Sequence, residues 1–212
     1  SLLFAKYQMY RNVYWHHAVR SATCMFKRAV RIAVRRSAVG VADLAEATDD
    51  GLMELLISRD NNALAGAIRS RRLYKRALDL PASDVPGDVQ PWIADDPDLL
   101  ERVEDGIAGE VGLAPGELLL DFPARSSMLG VDLPLRTRSG SVERLTDAGR
   151  AGQLGLPRVA DELYRSARRF RVFVAAAPAR SLNGILDLLA LPAADARRRV
   201  DEQASLLGGT AS

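Results

Sequence analysis

The sequence predicts a mainly helical protein that ends in a smaller α+β part with a short antiparallel sheet. Residues 2–39 contain neither glycine nor proline, and apolar residues recur there every three or four positions, as in an amphipathic helix. After residue 112 the pattern changes to short apolar runs with the composition of β-strands. We therefore expect a helical region over residues 1–112 and an α+β region over residues 113–212.

The helical region is predicted to contain several helices. Residues 2–39 form one long helix or two in tandem, which Gly40 ends. A short helix is predicted at 43–47, and a second helix follows a cap at 48–50. A third covers ALAGAIRSRRLYKRALDL as far as Pro81, and a fourth runs from Asp96-Pro97 to about Val111. Residues 81–97 hold four prolines and are predicted to form a loop.

The α+β region is predicted to contain three strands. They are ELLLDFP, VDLPLRT and RFRVFVAAAP. Helices are predicted over LPRVADELYRSARR, ARSLNGILDLLALP and AADARRRVDEQASLL.

Charge and cysteine content limit the function classes. A formal net charge of +2 over 212 residues gives no strong attraction to nucleic acid or to an anionic membrane. The single cysteine, Cys24, excludes an internal disulfide and fits a reducing, cytoplasmic compartment. No apolar stretch has the length of a membrane span, so no membrane partner is expected. Because the sequence begins with Ser inside a predicted helix, we expect it to be a piece of a longer protein.

The segment KYQMYRNVYWHH at residues 6–17 carries an unusual number of polar aromatic side chains. Lys6, Tyr10 and Tyr14 are four residues apart and His17 follows after three, so a continuous helix would place all four on one face. An ammonium group can neutralise phosphate, while tyrosines stack and form hydrogen bonds, which suits a nucleotide. Alternatively, the tyrosines bury their rings with their hydroxyls at the surface, and Lys6 extends into solvent.

The two histidines are poor metal ligands on spacing alone. His16 and His17 are adjacent, so on a helix their side chains would diverge by about 100°, and no carboxylate lies within four residues of either. No zinc-ligand spacing, Walker loop, nucleophile elbow or dinucleotide-binding glycine pattern occurs in the chain.

A second basic cluster surrounds Tyr74. On the predicted helix, Arg72 and Arg76 would form one row and Arg71 and Lys75 another, and such rows can bind phosphate or a nucleic-acid backbone. Alternatively, this cluster with Arg69 is a solvated face paired with acids such as Asp79.

Several segments, in this order, resemble one known family. KYQMYRNVYWHHAVRSATCMFKRAV resembles a helix late in the catalytic domain of HD-domain phosphohydrolases, in the deoxynucleoside triphosphate triphosphohydrolase branch. IRSRRLYKRAL is similar to a later helix of that family, LLLDFPARSS…VDLPLRT to its strand pair and RRFRVFVAAAP to its closing strand. The resemblance covers most of residues 1–177. It implies that residues 1–112 are the end of the HD-type catalytic domain.

The resemblance also implies roles for individual residues. Lys6 stands where a basic residue contacts the triphosphate, and Tyr14 where a tyrosine packs on the deoxyribose. Tyr10 matches a further pocket position, and His16 one that touches a neighbouring nucleotide site in some members. We therefore expect Lys6, Tyr10, Tyr14 and His17 to bind substrate, and His16, Arg72, Lys75 and Arg76 to form a candidate second nucleotide or phosphate site.

The chain departs from the family at the metal site. Family members bind one or two divalent metal ions through a His, a His-Asp pair and a later Asp, whereas this sequence contains no His-Asp dipeptide. The resemblance implies that a divalent metal is bound by residues upstream of this sequence. It further implies a (deoxy)nucleoside triphosphate substrate and a homo-oligomeric enzyme.

Two other classes stay open. One is a non-catalytic module that binds nucleic acid or a regulatory nucleotide through the cations at 27–36 and 69–76, and the other is a purely structural helical region.

Overall fold

The computed structural model describes residues 2–60, 62–85, 92–123, 134–136, 139–144 and 167–208. Within these ranges, the side chains of residues 2, 3, 6, 135, 143 and 144 are also outside the description. None of the helices in these ranges combines the length and the apolar character needed to cross a membrane.

Helices make up most of the described chain. They are α1 (Leu2–Met9), α2 (His17–Arg35), α3 (Val41–Glu46), α4 (Asp49–Asp60), α5 (Ala63–Arg69), α6 (Trp92–Asp95), α7 (Pro97–Glu110), α8 (Ile185–Ala190) and α9 (Ala193–Asp201). A π-helical turn at Tyr10–Tyr14 follows α1, and a 3-10 turn at Ala82–Asp84 precedes α6. The predicted capping signals are used, because Asp96 accepts a hydrogen bond from the Leu99 amide and Pro97 opens α7.

In the part of the chain that the structure describes, five strands form two separate sheets. They are β1 (Lys75–Pro81), β2 (Leu118–Asp121), β3 (Pro134–Arg136), β4 (Val142–Arg144) and β5 (Arg169–Val174). β5 is the central strand of an antiparallel sheet of order β1-β5-β2, and β3 pairs with β4 in a second, antiparallel sheet. The fold class is therefore confirmed as mainly helical with a small antiparallel sheet.

The three-stranded sheet lies between two hydrophobic cores, since successive side chains of a strand point to opposite faces. Phe170 and Val172 of β5 pack with α6, α7, α8 and α9 in one core, which we name the α7 core. Phe173 of the same strand packs with Leu119 against α2, α4 and α5 in a second core, which we name the α2 core. The sheet thus fixes the position of α2 relative to α7.

The predicted helix over ALAGAIRSRRLYKRALDL is wrong in its second half. α5 ends at Arg69, Arg71 adopts a left-handed conformation with φ of 57°, and Lys75–Pro81 is strand β1. Backbone pairing with β5 overrides the local helical pattern there. A strand of the main sheet therefore comes from residues 1–112, and the proposed boundary at residue 112 stays a prediction.

Three further segments can be compared with their sequence-based predictions. The long N-terminal helix is two helices in tandem, as one of the two alternatives stated. VDLPLRT contributes β3, whose partner β4 was not predicted. The predicted helix LPRVADELYRSARR falls almost entirely outside the described residues.

Candidate functional site

A π-helical turn breaks the N-terminal helix where the polar aromatic residues lie. The Trp15 amide donates to the Tyr10 carbonyl over 2.7 Å, a bond spanning five residues, and Trp15 ends the turn. Its indole is 3% exposed, so it anchors the turn against the protein. Single-turn π-helices of this kind are rare and occur frequently at functional sites.

The turn brings Tyr10 and Tyr14 together, as the spacing predicted. Their ring centroids lie 5.2 Å apart, and Tyr10 also meets the edge of Trp15 at 6.0 Å. Tyr10 is half-buried, whereas Tyr14 is 51% exposed. We name these two rings the aromatic face. An exposed phenol supported from beneath by a second ring can stack on a ring or sugar.

The predicted row from Lys6 to His17 is only partly observed. Lys6 lies in α1 one turn before Tyr10, but its side chain is outside the described residues. His17 begins α2 after a break, because His16 is an extended N-cap residue with ψ of 138°. A single helical face therefore does not continue from Tyr14 to His17.

The same break corrects the geometry expected for the histidines. Their ring centroids are 4.2 Å apart rather than diverging as on a continuous helix. Within the part of the chain that the structure describes, however, no three His, Cys, Asp or Glu side chains could together hold one metal ion.

A row of charged side chains crosses the three-stranded sheet beneath α2. Asp79 of β1 and Asp121 of β2 are both in register with Arg171 of β5. Each carboxylate has an oxygen 3.5 Å from the Arg171 guanidinium. We name these three residues the charged row. Sequence reasoning did not identify it as a site, since strand register depends on pairing partners far apart in the chain.

Further arginines surround the charged row. Arg20 of α2 binds Asp121 through Nε at 3.1 Å and Nη2 at 2.5 Å. Arg169 and Arg76 bind Asp79 over 2.5 and 2.6 Å. Four guanidinium groups therefore face two carboxylates, which leaves an excess of positive charge at this end of the sheet.

His17 lies close enough to this excess charge to respond to it. Burial lowers the His17 pKa, and the neighbouring cationic groups of Arg76, His16 and Arg171 lower it further, against an opposing effect of Asp79. The neutral form of His17 is thus favoured, and a neutral imidazole can accept as well as donate a hydrogen bond.

The second predicted site does not have the helical arrangement that was expected for Arg72, Lys75 and Arg76. Arg72 is in the turn after α5, and Lys75 and Arg76 are adjacent in β1, so their side chains leave opposite faces of the strand. The helical rows of Arg72 with Arg76 and of Arg71 with Lys75 do not exist. Of Arg72, Lys75 and Arg76, it is Arg76 that lies close enough to His17 to lower its pKa.

Comparison with known proteins assigns the family. Residues 1–150 match the family model described as "HD associated region". The chain belongs to the HD-associated region family. The uncharacterized protein MJ1154 of Methanocaldococcus jannaschii is 37% identical over 93 residues, which is 44% of this chain. The match covers 20% of that relative, so this chain corresponds to about a fifth of its length, and no solved structure matches the chain.

The aromatic face and the charged row are connected by a hydrogen bond. Arg171 Nη2 donates to the Trp15 carbonyl oxygen over 3.0 Å. Because Trp15 ends the π-helical turn, this contact ties the position of Tyr14 to the central strand of the sheet. The family match extends over the aromatic face and two members of the charged row, Asp79 and Asp121.

Proposed function

We propose that this HD-associated region lines the nucleotide pocket of a metal-dependent HD-type phosphohydrolase that acts on (deoxy)nucleoside triphosphates. In this proposal the region binds and orients the substrate, and the intact protein releases nucleoside and triphosphate. The observation that carries the proposal is the aromatic face, with an exposed Tyr14 held against Tyr10 by a π-helical turn. The family match supports the association with an HD domain.

The aromatic face suits the sugar of a nucleotide. Tyr14 offers an exposed ring to stack on and a hydroxyl for hydrogen bonding, while Tyr10 limits the directions in which Tyr14 can turn. A ring held in this way loses little conformational freedom on binding, which favours affinity.

The charge distribution nearby suits a polyphosphate. The cationic excess around the charged row lies at the base of the turn, and the neutral form of His17 is favoured there. Lys6, in the turn of α1 before Tyr10, is proposed to contact the triphosphate. Arginine and lysine together would neutralise phosphate charge and fix its direction.

The metal required by this chemistry does not fit the residues described here. The chain has two histidines, which are adjacent, and the described residues contain no cluster of three potential ligands. We therefore assign to this chain only substrate binding and orientation, and we place the metal ligands in another part of the intact protein.

Substitution of Tyr14 in the intact protein tests the proposal. We expect Tyr14→Ala to lower kcat/KM for a deoxynucleoside triphosphate by about tenfold or more, as expected when one stacking contact of 1–3 kcal/mol is lost. Val13→Ala is the matched control, because Val13 is its exposed neighbour in the same turn. Turnover in Tyr14→Ala equal to that of Val13→Ala would contradict the proposal.

The same measurements distinguish the non-catalytic alternative. If the intact protein shows no metal-dependent hydrolysis but binds nucleotide or nucleic acid with a steep salt dependence, a binding module is favoured instead.

A further inference from the structure

A cavity of about 260 Å³ lies between α2, the start of α7 and the end of β2. One side of it is a single face of α2, which contributes Arg20, Cys24, Lys27, Arg28 and Arg31 at helical spacing. Neither Tyr10 nor Tyr14 lines this cavity.

Two of the four cations on this wall are already neutralised. Arg20 is paired with Asp121, and Arg28 is paired with Asp105 at 2.6 Å. Lys27 and Arg31 form no ion pair with any residue in the described ranges. They are four residues apart on α2 and therefore neighbours on its surface. The wall thus presents two uncompensated cations side by side.

The two acids that line the cavity do not pair with these two cations, because Asp121 binds Arg20 and Glu104 Oε2 lies 3.5 Å from Arg28 Nη1. Burial raises the Glu104 pKa to about 8, and the Leu120 amide, which donates to Oε1 over 2.8 Å, only partly opposes the shift. Burial therefore favours the neutral form of this carboxyl group, against the opposing effect of the Arg28 and Arg31 guanidinium groups.

Most of the opposite wall is apolar. Ile93 of α6 and Phe122 after β2 are buried, and Leu100 of α7 is half-buried. A cavity of this volume corresponds to roughly nine water molecules at about 30 Å³ each. It has room for a group the size of an aromatic ring together with one anionic substituent.

We propose that this cavity binds a small organic anion, with a ring-sized apolar body against Ile93, Leu100 and Phe122 and a carboxylate or phosphate between Lys27 and Arg31. Burial of the body supplies hydrophobic free energy, and the two cations supply orientation and charge neutralisation. This site goes beyond the proposed function, because it shares no residue with the aromatic face.

Calorimetric titration of the intact protein tests the site, with phenyl phosphate, benzoate and inorganic phosphate as probes. We expect phenyl phosphate or benzoate to bind at least about tenfold more tightly than inorganic phosphate, since only they fill the apolar wall. Tighter binding of phenyl phosphate would identify phosphate as the preferred head group, and tighter binding of benzoate would identify carboxylate.

Paired charge variants locate the binding. Lys27→Gln combined with Arg31→Gln should lower the affinity for the more tightly bound aromatic probe by about tenfold or more, and it should reduce the salt dependence of binding. Arg180→Gln combined with Arg199→Gln removes the same net charge away from this cavity and should change the affinity less than twofold. Lys27 is exposed and Arg31 half-buried, so the first pair should preserve the fold, as circular dichroism would verify.

Three results would overturn the proposal. In the first, neither phenyl phosphate nor benzoate binds at 10 mM. In the second, inorganic phosphate binds as tightly as the aromatic probes. In the third, the Lys27/Arg31 and Arg180/Arg199 pairs of substitutions weaken probe binding equally. Each of these results leaves the Tyr14 experiment unaffected, because that experiment measures turnover at different residues.

Discussion

Arg171 in the central strand donates a hydrogen bond to the carbonyl oxygen of Trp15 over 3.0 Å, across 156 positions of the chain. The side chain of Arg171 is only 5% exposed, and it also faces Asp79 and Asp121. The backbone at the end of a helix leaves carbonyl groups without intrahelical partners. One buried guanidinium therefore donates to the carbonyl at the end of the π-helical turn and supplies positive charge beside two carboxylates of the sheet.

Removing that guanidinium should be costly. We expect Arg171→Met to lower the free energy of unfolding by about 3 kcal/mol, because the Trp15 carbonyl loses its donor and two carboxylates lose a buried counter-charge. Urea denaturation measures the change. Arg169→Gln is the control, because it removes an ion pair between Asp79 and a side chain that is 37% exposed. We expect it to lower the free energy of unfolding by less than about 1 kcal/mol. Equal costs for the two variants would show that the burial of Arg171 is unimportant.

Glu104 predicts a pH dependence of stability. Burial raises its pKa from 4.5 to about 8, so between these values the folded protein holds a proton that the unfolded chain releases. The contribution to stability is therefore complete below pH 4.5 and is lost as the pH rises to about 8, by at most about 1.4 kcal/mol per pH unit.

Glu104→Gln tests this dependence, because glutamine keeps an acceptor for the Leu120 amide and cannot ionise. Urea denaturation at intervals from pH 5 to pH 8 should give a flatter profile for the variant than for the parent protein. Parallel profiles would mean that other groups cause the pH dependence.

Gly184 is predicted to tolerate no side chain. It adopts φ of 85° before α8, and an added Cβ would lie 1.8 Å from the Leu207 carbonyl oxygen. Gly184→Ala should therefore cost more than about 3 kcal/mol in thermal or urea unfolding. A Cβ added at Gly109 in α7 would have no atom within 4 Å. Gly109→Ala should therefore raise the free energy of unfolding by about 0.5–1 kcal/mol.

Asn62 joins α5 to α2 by one buried side chain. Its Oδ1 accepts from the Leu64 and Ala65 amides, and its Nδ2 donates to the Ala29 carbonyl over 3.1 Å. We expect Asn62→Ala to cost about 2 kcal/mol, because it removes a helix cap and the buried hydrogen bond to the Ala29 carbonyl. Asn12→Ala loses only an exposed bond to Gln8 and should cost less than about 0.5 kcal/mol in the same assay.

Local signals predicted much of the helical architecture. Asp96-Pro97 marked the start of α7, and Thr48 marked that of α4, where its Oγ1 accepts from the Gly51 amide. These signals act within one turn, so the sequence displays them directly. The proximity of Tyr10 and Tyr14 was also predictable, because four-residue spacing places side chains together even where the helix widens into a π-turn.

Longer-range features were not predictable in this way. Lys75 and Arg76 follow a helical pattern of charges, but pairing of β1 with β5 places them in a strand. The charged row depends on the register of three strands that are separated in the chain by 42 and 50 residues. The one available signal was an Asp or Arg within an otherwise apolar strand, as in LLLDFP and RFRVFV, which is unusual enough to indicate buried charge.

The order of the strands has a consequence for synthesis on the ribosome. β1 and β2 form no backbone pairing with each other, and both depend on β5, which is made last of the three. During translation each therefore exposes unpaired amide and carbonyl groups until Val174 has left the exit tunnel. A ribosome that stalled after Asp121 had left the tunnel and before Val174 had done so would hold a nascent chain with two unpaired strands, which makes this interval the one in which a chaperone is most needed.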